Sequence, residues 1–160
     1  MINHEIIKIG NLTPNFSLND HNKQLVSITE YKGKNVLLSF HPLAWTSICA
    51  QQMKSLEVNK ERFDELNTIA FGLSVDSVPS KKAWVEKELH INNTRLLADF
   101  WPHGGVAKKF GIFREKDGIS ERANIIIDKD QKIMFLKVYE ISTLPDIEEI
   151  IQVLQKQGGS

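Results

Sequence analysis

Apolar and polar positions alternate over two short stretches near the start of the chain, Phe16 to Leu18 and Leu25 to Ile28. They are joined by the polar run Asp20-His21-Asn22-Lys23, and that pattern predicts a small N-terminal hairpin. Val36 to Phe40 is almost continuously apolar, as expected of a central strand buried on both faces. A helical pattern follows, in which Cys49, Met53, Leu56, Phe63 and Leu66 fall on one apolar face of a long helix. Ile69 to Val75 reads as a second buried strand. Ser80 then reads as the cap of a helix with Trp84, Val85 and Leu89 on its core side. Leu96-Leu97 suggests a short strand, and Trp101-Pro102-His103-Gly104-Gly105 a turn-rich loop. Ile125 to Ile127 and Ile133 to Val138 flank Asp128-Lys129-Asp130-Gln131, a second hairpin signal. Pro145 and Asp146 open a last helix whose core face is Ile147, Ile150, Ile151 and Leu154.

Strands alternating with helices imply parallel pairing and helices on both faces of the sheet. The closing hairpin makes the sheet mixed, so the expected class is α/β with a central mixed sheet and an N-terminal hairpin. No repeat, low-complexity segment or Pro/Gly-rich linker divides the 160 residues. The expected organisation is one domain from Met1 to Gln157, followed by a flexible tail, Gly158 to Ser160.

Charge narrows the partners. Twenty basic and twenty acidic residues cancel, which gives no sign of a nucleic-acid or membrane-surface partner. Met1 to Gly10, with His4, Glu5 and Lys8 among isolated apolar residues, holds no apolar run suited to a signal peptide or membrane span. A single cysteine also fits a reducing compartment, so a cytoplasmic location is expected.

The chemistry concentrates in Pro42-Leu43-Ala44-Trp45-Thr46-Ser47-Ile48-Cys49, the link between the central strand and the long helix. Sites in open α/β sheets form at the carboxyl ends of strands. Thr46 reads as the helix N-cap, with Cys49 three residues on, where a capping box would carry Glu or Gln. The sulfur then lies among free N–H groups at the positive end of the helix, where a thiolate, the nucleophilic form, is favoured. The Thr46 hydroxyl could donate to the sulfur or to a bound oxygen, and Pro42 would shield the loop from water. The alternative is that Cys49 is an unreactive core cysteine.

The octapeptide has Pro, three residues, Thr, two residues, Cys, and in this it resembles the peroxiredoxin signature. Thr13-Pro14-Asn15-Phe16 and Ser74-Val75-Asp76-Ser77 resemble the family's approach to its first hairpin and the turn after its next strand. Asp99-Phe100-Trp101-Pro102-His103-Gly104 and Gly118-Ile119-Ser120-Glu121-Arg122-Ala123 resemble a one-cysteine branch, the alkyl hydroperoxide reductase E type. The resemblance runs roughly from Leu12 to Gln155. It implies a thioredoxin-like fold and a thiol-dependent peroxidase that reduces hydrogen peroxide or organic hydroperoxides through a sulfenic acid at Cys49. It further implies that Thr46 hydrogen-bonds the peroxide, that Pro42 shields the site, and that Arg122 favours the thiolate and donates to a peroxide oxygen. A surface salt bridge with Glu121 is the other reading of Arg122. Two positions depart from the pattern: Ala50 stands where many relatives have Thr, and the uncharged Gln52 where many have Glu. With no second cysteine, the chain offers no resolving partner of its own beyond a Cys49–Cys49 disulfide between protomers; the simplest reading is a one-cysteine cycle, in which an external thiol resolves the sulfenic acid, either a thioredoxin- or glutaredoxin-like protein or a small thiol. A homodimer is expected by family resemblance, and no cofactor or metal. The same reactive thiol would also serve a peroxide sensor or holdase that does not turn over. A dithiol oxidoreductase would need a Cys-x-x-Cys pair that this chain lacks.

Other residues read as structural. His41 packs at the strand end or lines the site. His103 belongs to a dimer-contact or structural loop. The five histidines lack metal-ligand spacing. Trp45, Trp84 and Trp101 read as core or interface, and Lys81-Lys82 as a solvated helix face.

Overall fold

The computed structural model describes residues 5–158. The first four residues of the Met1–Gly10 segment, and Gly159 and Ser160 of the expected tail, lie outside the described residues. The elements run β1 (Ser17–Asn19), β2 (Leu25–Ser27), a 3-10 turn, β3 (Asn35–Phe40), α1 (Ser47–Val58), α2 (Lys60–Glu65) and β4 (Thr68–Ser74). They continue with α3 (Val78–Trp84), a π-turn over Val85–Leu89, β5 (Arg95–Ala98), α4 (Gly105–Phe110), β6 (Phe113–Arg114) and β7 (Ile119–Ser120). β8 (Arg122–Ile127), β9 (Ile133–Tyr139) and α5 (Ile147–Gly158) complete the chain.

Five strands form the central sheet in the order β5-β4-β3-β8-β9. β3 pairs parallel with β4, and β4 with β5, whereas β8 runs antiparallel to both β3 and β9. The apolar runs occupy the middle: every residue of β3 and of β8 is buried. Side chains that alternate across the sheet feed two cores. Leu37, Leu96 and Ile126 pack under α1, α2, α3 and α5 with Met53, Leu56, Phe63, Trp84, Ile150, Ile151 and Leu154. Val36, Leu38, Phe40, Ile125 and Ile127 pack on the other face against Phe16, Leu18, Val26 and Phe110, which belong to the N-terminal hairpin and α4. Gly72 on β4 permits the close approach of α1, because a Cβ there would collide with Met53 Sδ.

Several local expectations change. The long helix breaks at Asn59, whose φ of −98° and ψ of 11° separate α1 from α2, although Cys49, Met53, Leu56 and Phe63 still share one core. Asn59 Nδ2 donates to Ser55 O at 2.8 Å, competing locally with the helix ladder. The cap of α3 is Ser77 rather than Ser80: Ser77 Oγ accepts from Ser80 N, with Pro79 in the first turn. The turn-rich loop from Trp101 to Gly105 leads directly into α4, a helix that the apolar pattern does not mark. Asp99 nucleates it by accepting from Val106 N and Ala107 N, both at 2.9 Å. Lys81 is not on a solvated face: it is fully buried, and only Lys82 is exposed. α5 extends through Gly158, one residue into the expected tail. Among the described residues, no helix is long and apolar enough to cross a membrane.

Candidate active site

The carboxyl ends of β3, β4 and β5 lie together because these strands are parallel. β8 is antiparallel to β3, with Phe40 opposite Ala123. The first residue of β8, Arg122, therefore arrives at the same end as the loop after Phe40. Topology alone brings Arg122 to Cys49 across 73 positions of sequence.

The loop from Pro42 to Thr46 is held from the neighbouring connection. Asp76 Oδ2 accepts from Ala44 N at 2.8 Å and from Ser74 Oγ at 2.6 Å. Trp45 adopts φ of +70°, a left-handed conformation that costs a bulky residue on the order of 1–3 kcal/mol. Its indole N–H donates to Ser80 Oγ at 3.2 Å. Thr46 is the N-cap by backbone geometry, with φ of −108° and ψ of 151°, but its hydroxyl donates to Leu43 O at 3.0 Å instead of capping the helix. Cys49 is the third residue of α1 and is 1% exposed.

Arg122 is 3% exposed, so its guanidinium has been stripped of most of its water. Its Nε donates to Ile141 O at 2.9 Å; its Nη1 lies 2.7 Å from Gln52 Oε1 and 3.4 Å from Cys49 Sγ. These partners are a carbonyl, an amide oxygen and the sulfur; none is a carboxylate. A buried cation of this kind favours an anion beside it. Glu121 does not pair with Arg122; it lies 3.6 Å from Arg114. Gln52, 2% exposed, holds the guanidinium in place while its own amide donates to Ser39 Oγ at 2.7 Å and Phe40 O at 3.1 Å. Its part as the brace of Arg122 was not foreseen, although its polar side chain on the core side of a helix was a usable signal.

Pro42, Thr46, Cys49 and Arg122 line one cleft of about 380 Å³, together with Leu43, Ser47, Ile48, Ile119, Ile141 and Ser142. Its walls are mostly apolar, so a small polar solute reaching the sulfur meets few competing groups besides Arg122 and the Thr46 hydroxyl. His41 does not line this cleft. It is fully buried behind the loop, its ring 5.5 Å from that of Trp84. His103 Nε2 lies 2.6 Å from Gly118 O and its ring meets Phe113 edge-on, a structural role. Trp84 is core, whereas Trp45 and Trp101 are exposed. No group of side chains suited to a metal ion occurs among the described residues.

A thioredoxin-like mixed sheet, with one thiol in the first turn of a helix and a buried guanidinium against it, defines a cysteine-dependent redox protein. The relatives make the class narrower. The AhpC/TSA family profile matches residues 9–136. Alkyl hydroperoxide reductase E of Mycobacterium bovis is 35% identical over 142 residues, covering 88% of this chain and 92% of the relative. A peroxiredoxin of Thermoplasma volcanium is 31% identical over 153 residues, 93% and 74% of the two chains. Among solved structures, a reduced 2-Cys peroxiredoxin of Plasmodium vivax superposes with a TM-score of 0.86 at 27% identity, covering 94% of this chain and 82% of that one. Enterococcus faecalis AhpC gives 0.88 at 22% identity, covering 94% and 92%. The chain belongs to the AhpC/TSA family of peroxiredoxins, thiol-dependent peroxidases, and its single cysteine fits the one-cysteine type.

Proposed function

We propose that Cys49 is the peroxidatic cysteine of a one-domain, one-cysteine peroxidase that reduces hydrogen peroxide or organic hydroperoxides. The observation that carries this reading is the 3.4 Å approach of the Arg122 guanidinium to Cys49 Sγ on a cleft it shares with Pro42 and Thr46. The Cys49 thiolate attacks the outer peroxide oxygen; an S–O bond forms and the O–O bond breaks. The sulfur is oxidised to the sulfenic state, and the departing oxygen leaves as alkoxide or hydroxide and takes up a proton to become alcohol or water. Arg122 neutralises the thiolate and then donates to the oxygen on which charge develops. The Thr46 hydroxyl has its hydrogen committed to Leu43 O, which leaves its oxygen to accept from the peroxide O–H. Pro42, buried at the start of the loop, presents no N–H and keeps water from the sulfur.

With one cysteine in the chain, an external thiol must condense with the sulfenic acid, release water, and leave a mixed disulfide that a second thiol reduces. Thioredoxin- or glutaredoxin-like proteins and small thiols both fit, and a cytoplasmic site of action would supply them. A homodimer is part of this reading. Phe100 and Trp101 stand 51% and 82% exposed on the loop after β5, apolar surface suited to a second copy. Sedimentation at micromolar concentration tests it, and a sole 18.2 kDa species overturns it.

The direct test is stopped-flow oxidation of reduced protein by a slight excess of peroxide, followed by tryptophan fluorescence, with the sulfenic acid trapped chemically. Wild type should react orders of magnitude faster than a free thiol. Arg122→Ala should be slower by about a hundredfold, in line with losing one charge-stabilising donor, and Cys49→Ser should not react. Reaction at free-thiol speed with both hydrogen peroxide and an organic peroxide refutes the reading. Stoichiometric oxidation without turnover by any thiol would make the protein a sensor instead.

A further inference from the structure

Behind the Pro42–Cys49 loop lies a buried basic pair that the chemistry above does not use. Lys81 on α3 and His41, which precedes Pro42, are both fully inaccessible to water. Lys81 Nζ lies 3.5 Å from His41 Nε2. The backbone of His41 is fixed on both sides, its N donating to Leu73 O at 2.9 Å and its carbonyl accepting from Ser120 Oγ at 3.4 Å, and its ring packs against Trp84. Among the described residues, no group meets His41 Nδ1 with full hydrogen-bond geometry, although the Ser39 carbonyl bears on the ring.

The charges facing the pair come from every neighbouring element. Asp76 after β4, Asp99 after β5 and Cys49 on α1 face Lys81. Arg122 on β8 acts on His41, and His21 of the β1–β2 turn, with Asp20, Arg95 and Lys82 near it, interacts with Lys81. Neither aspartate hydrogen-bonds the ammonium group. Asp76 is engaged with Ala44 N and Ser74 Oγ, and Asp99 with the first turn of α4. They act on Lys81 only as a field.

Resting on the reading of Cys49 as the nucleophile, we propose that Lys81 is a positioning residue for its chemistry. With His41 it forms a buried pair that holds one exchangeable proton, and that proton sets the positive charge behind Cys49. Two protons do not fit, because each would desolvate a cation beside another cation. Burial, opposed by Asp76, Cys49 and Asp99, brings the ammonium of Lys81 down to about 7. Burial, Lys81 and Arg122 hold His41 well below its ordinary range, against a smaller opposing effect of the Ser39 carbonyl. The proton therefore resides mainly on Lys81. It is present below neutrality, adding to Arg122 as support for the thiolate, and leaves as the pH rises through neutrality.

Two readouts on the full chain test this. In wild type, NMR titration of the His41 ring nitrogens should show one step near neutrality as its neighbour loses the proton. Signals flat between about pH 6 and pH 9 overturn the pair. Iodoacetamide alkylation of Cys49, the only cysteine, reports the sulfur's charge whether or not peroxide is reduced. Lys81→Met should alkylate about threefold or more slowly than wild type at about pH 6 and match it at about pH 9, where wild-type Lys81 is uncharged. Lys81→Arg should keep the wild-type rate at the lower pH and exceed it at the higher. Coincident profiles for wild type and Lys81→Met overturn the proposal. Slow peroxide oxidation of wild type combined with the expected alkylation pattern overturns the peroxidase reading and leaves the pair standing.

Discussion

Gln52 offers the most searching check on how the site is built. It joins two buried groups: Arg122 Nη1 donates to its Oε1 at 2.7 Å, and its Nε2 donates to Ser39 Oγ at 2.7 Å. Gln52→Leu keeps the helix and the approximate volume but strands the guanidinium N–H and the serine oxygen in the core. Each of the two stranded groups costs about 1–3 kcal/mol, so a loss of about 2–6 kcal/mol in unfolding free energy is expected, measured by denaturant titration. The guanidinium keeps its anchor on Ile141 O but loses the brace that aims Nη1 at the sulfur. If that freedom removes about 1.4–2.7 kcal/mol of transition-state stabilisation, peroxide oxidation slows by about tenfold to a hundredfold in stopped flow. Gln52→Glu retains an acceptor for Arg122 and should fall between wild type and Gln52→Leu, since its charge also offsets part of the guanidinium's field at Cys49. A Gln52→Leu protein that loses stability yet oxidises at the wild-type rate would refute the idea that Gln52 aims Arg122. One that unfolds like wild type would refute the hydrogen-bond accounting itself.

Two further expectations concern the frame of the site. The Glu57 carboxylate collects the backbone N–H groups of Asn92, Asn93 and Thr94 and the Thr94 hydroxyl, tying α1 to the approach to β5. Burial alone would raise its pKa, but these donors outweigh it and hold the carboxyl below the ordinary glutamate value. Its contribution is therefore present above that pH and is lost as pH falls through the depressed folded value. Glu57→Gln should cost about 1–3 kcal/mol near neutrality, and the gap to wild type should close in acid; a gap independent of pH would count against the carboxylate. Because Ser77 rather than Ser80 caps α3, Ser77→Ala should cost about 1 kcal/mol, more than Ser80→Ala, which loses only the partly exposed bond to Trp45. The reverse order in thermal melts would refute that assignment.

Much of this protein was legible in one dimension. Periodicity located β3, β4, β5 and β9 to within a residue, because a buried strand is mostly apolar, but it missed the first three residues of β8, where Arg122 and Asn124 are buried polar side chains. The contiguity of Pro42, Thr46 and Cys49 made that part of the site local, since a loop and the helix turn after it are encoded by neighbours. What needed tertiary structure had physical causes of another kind. The break at Asn59 comes from a side chain competing for its own helix's carbonyl, which an apolar period does not register. α4 starts from a glycine in a left-handed conformation and is held by Asp99, a cap lying several residues upstream of the helix. Lys81 looks solvated by residue type, and only the sheet-facing side of α3 against His41 and Trp84 removes it from water. Arg122 could be named by resemblance to a motif. Its hold on Cys49 and Gln52 exists because β8 lies antiparallel to β3, a pairing set by the whole sheet and by no short stretch of residues.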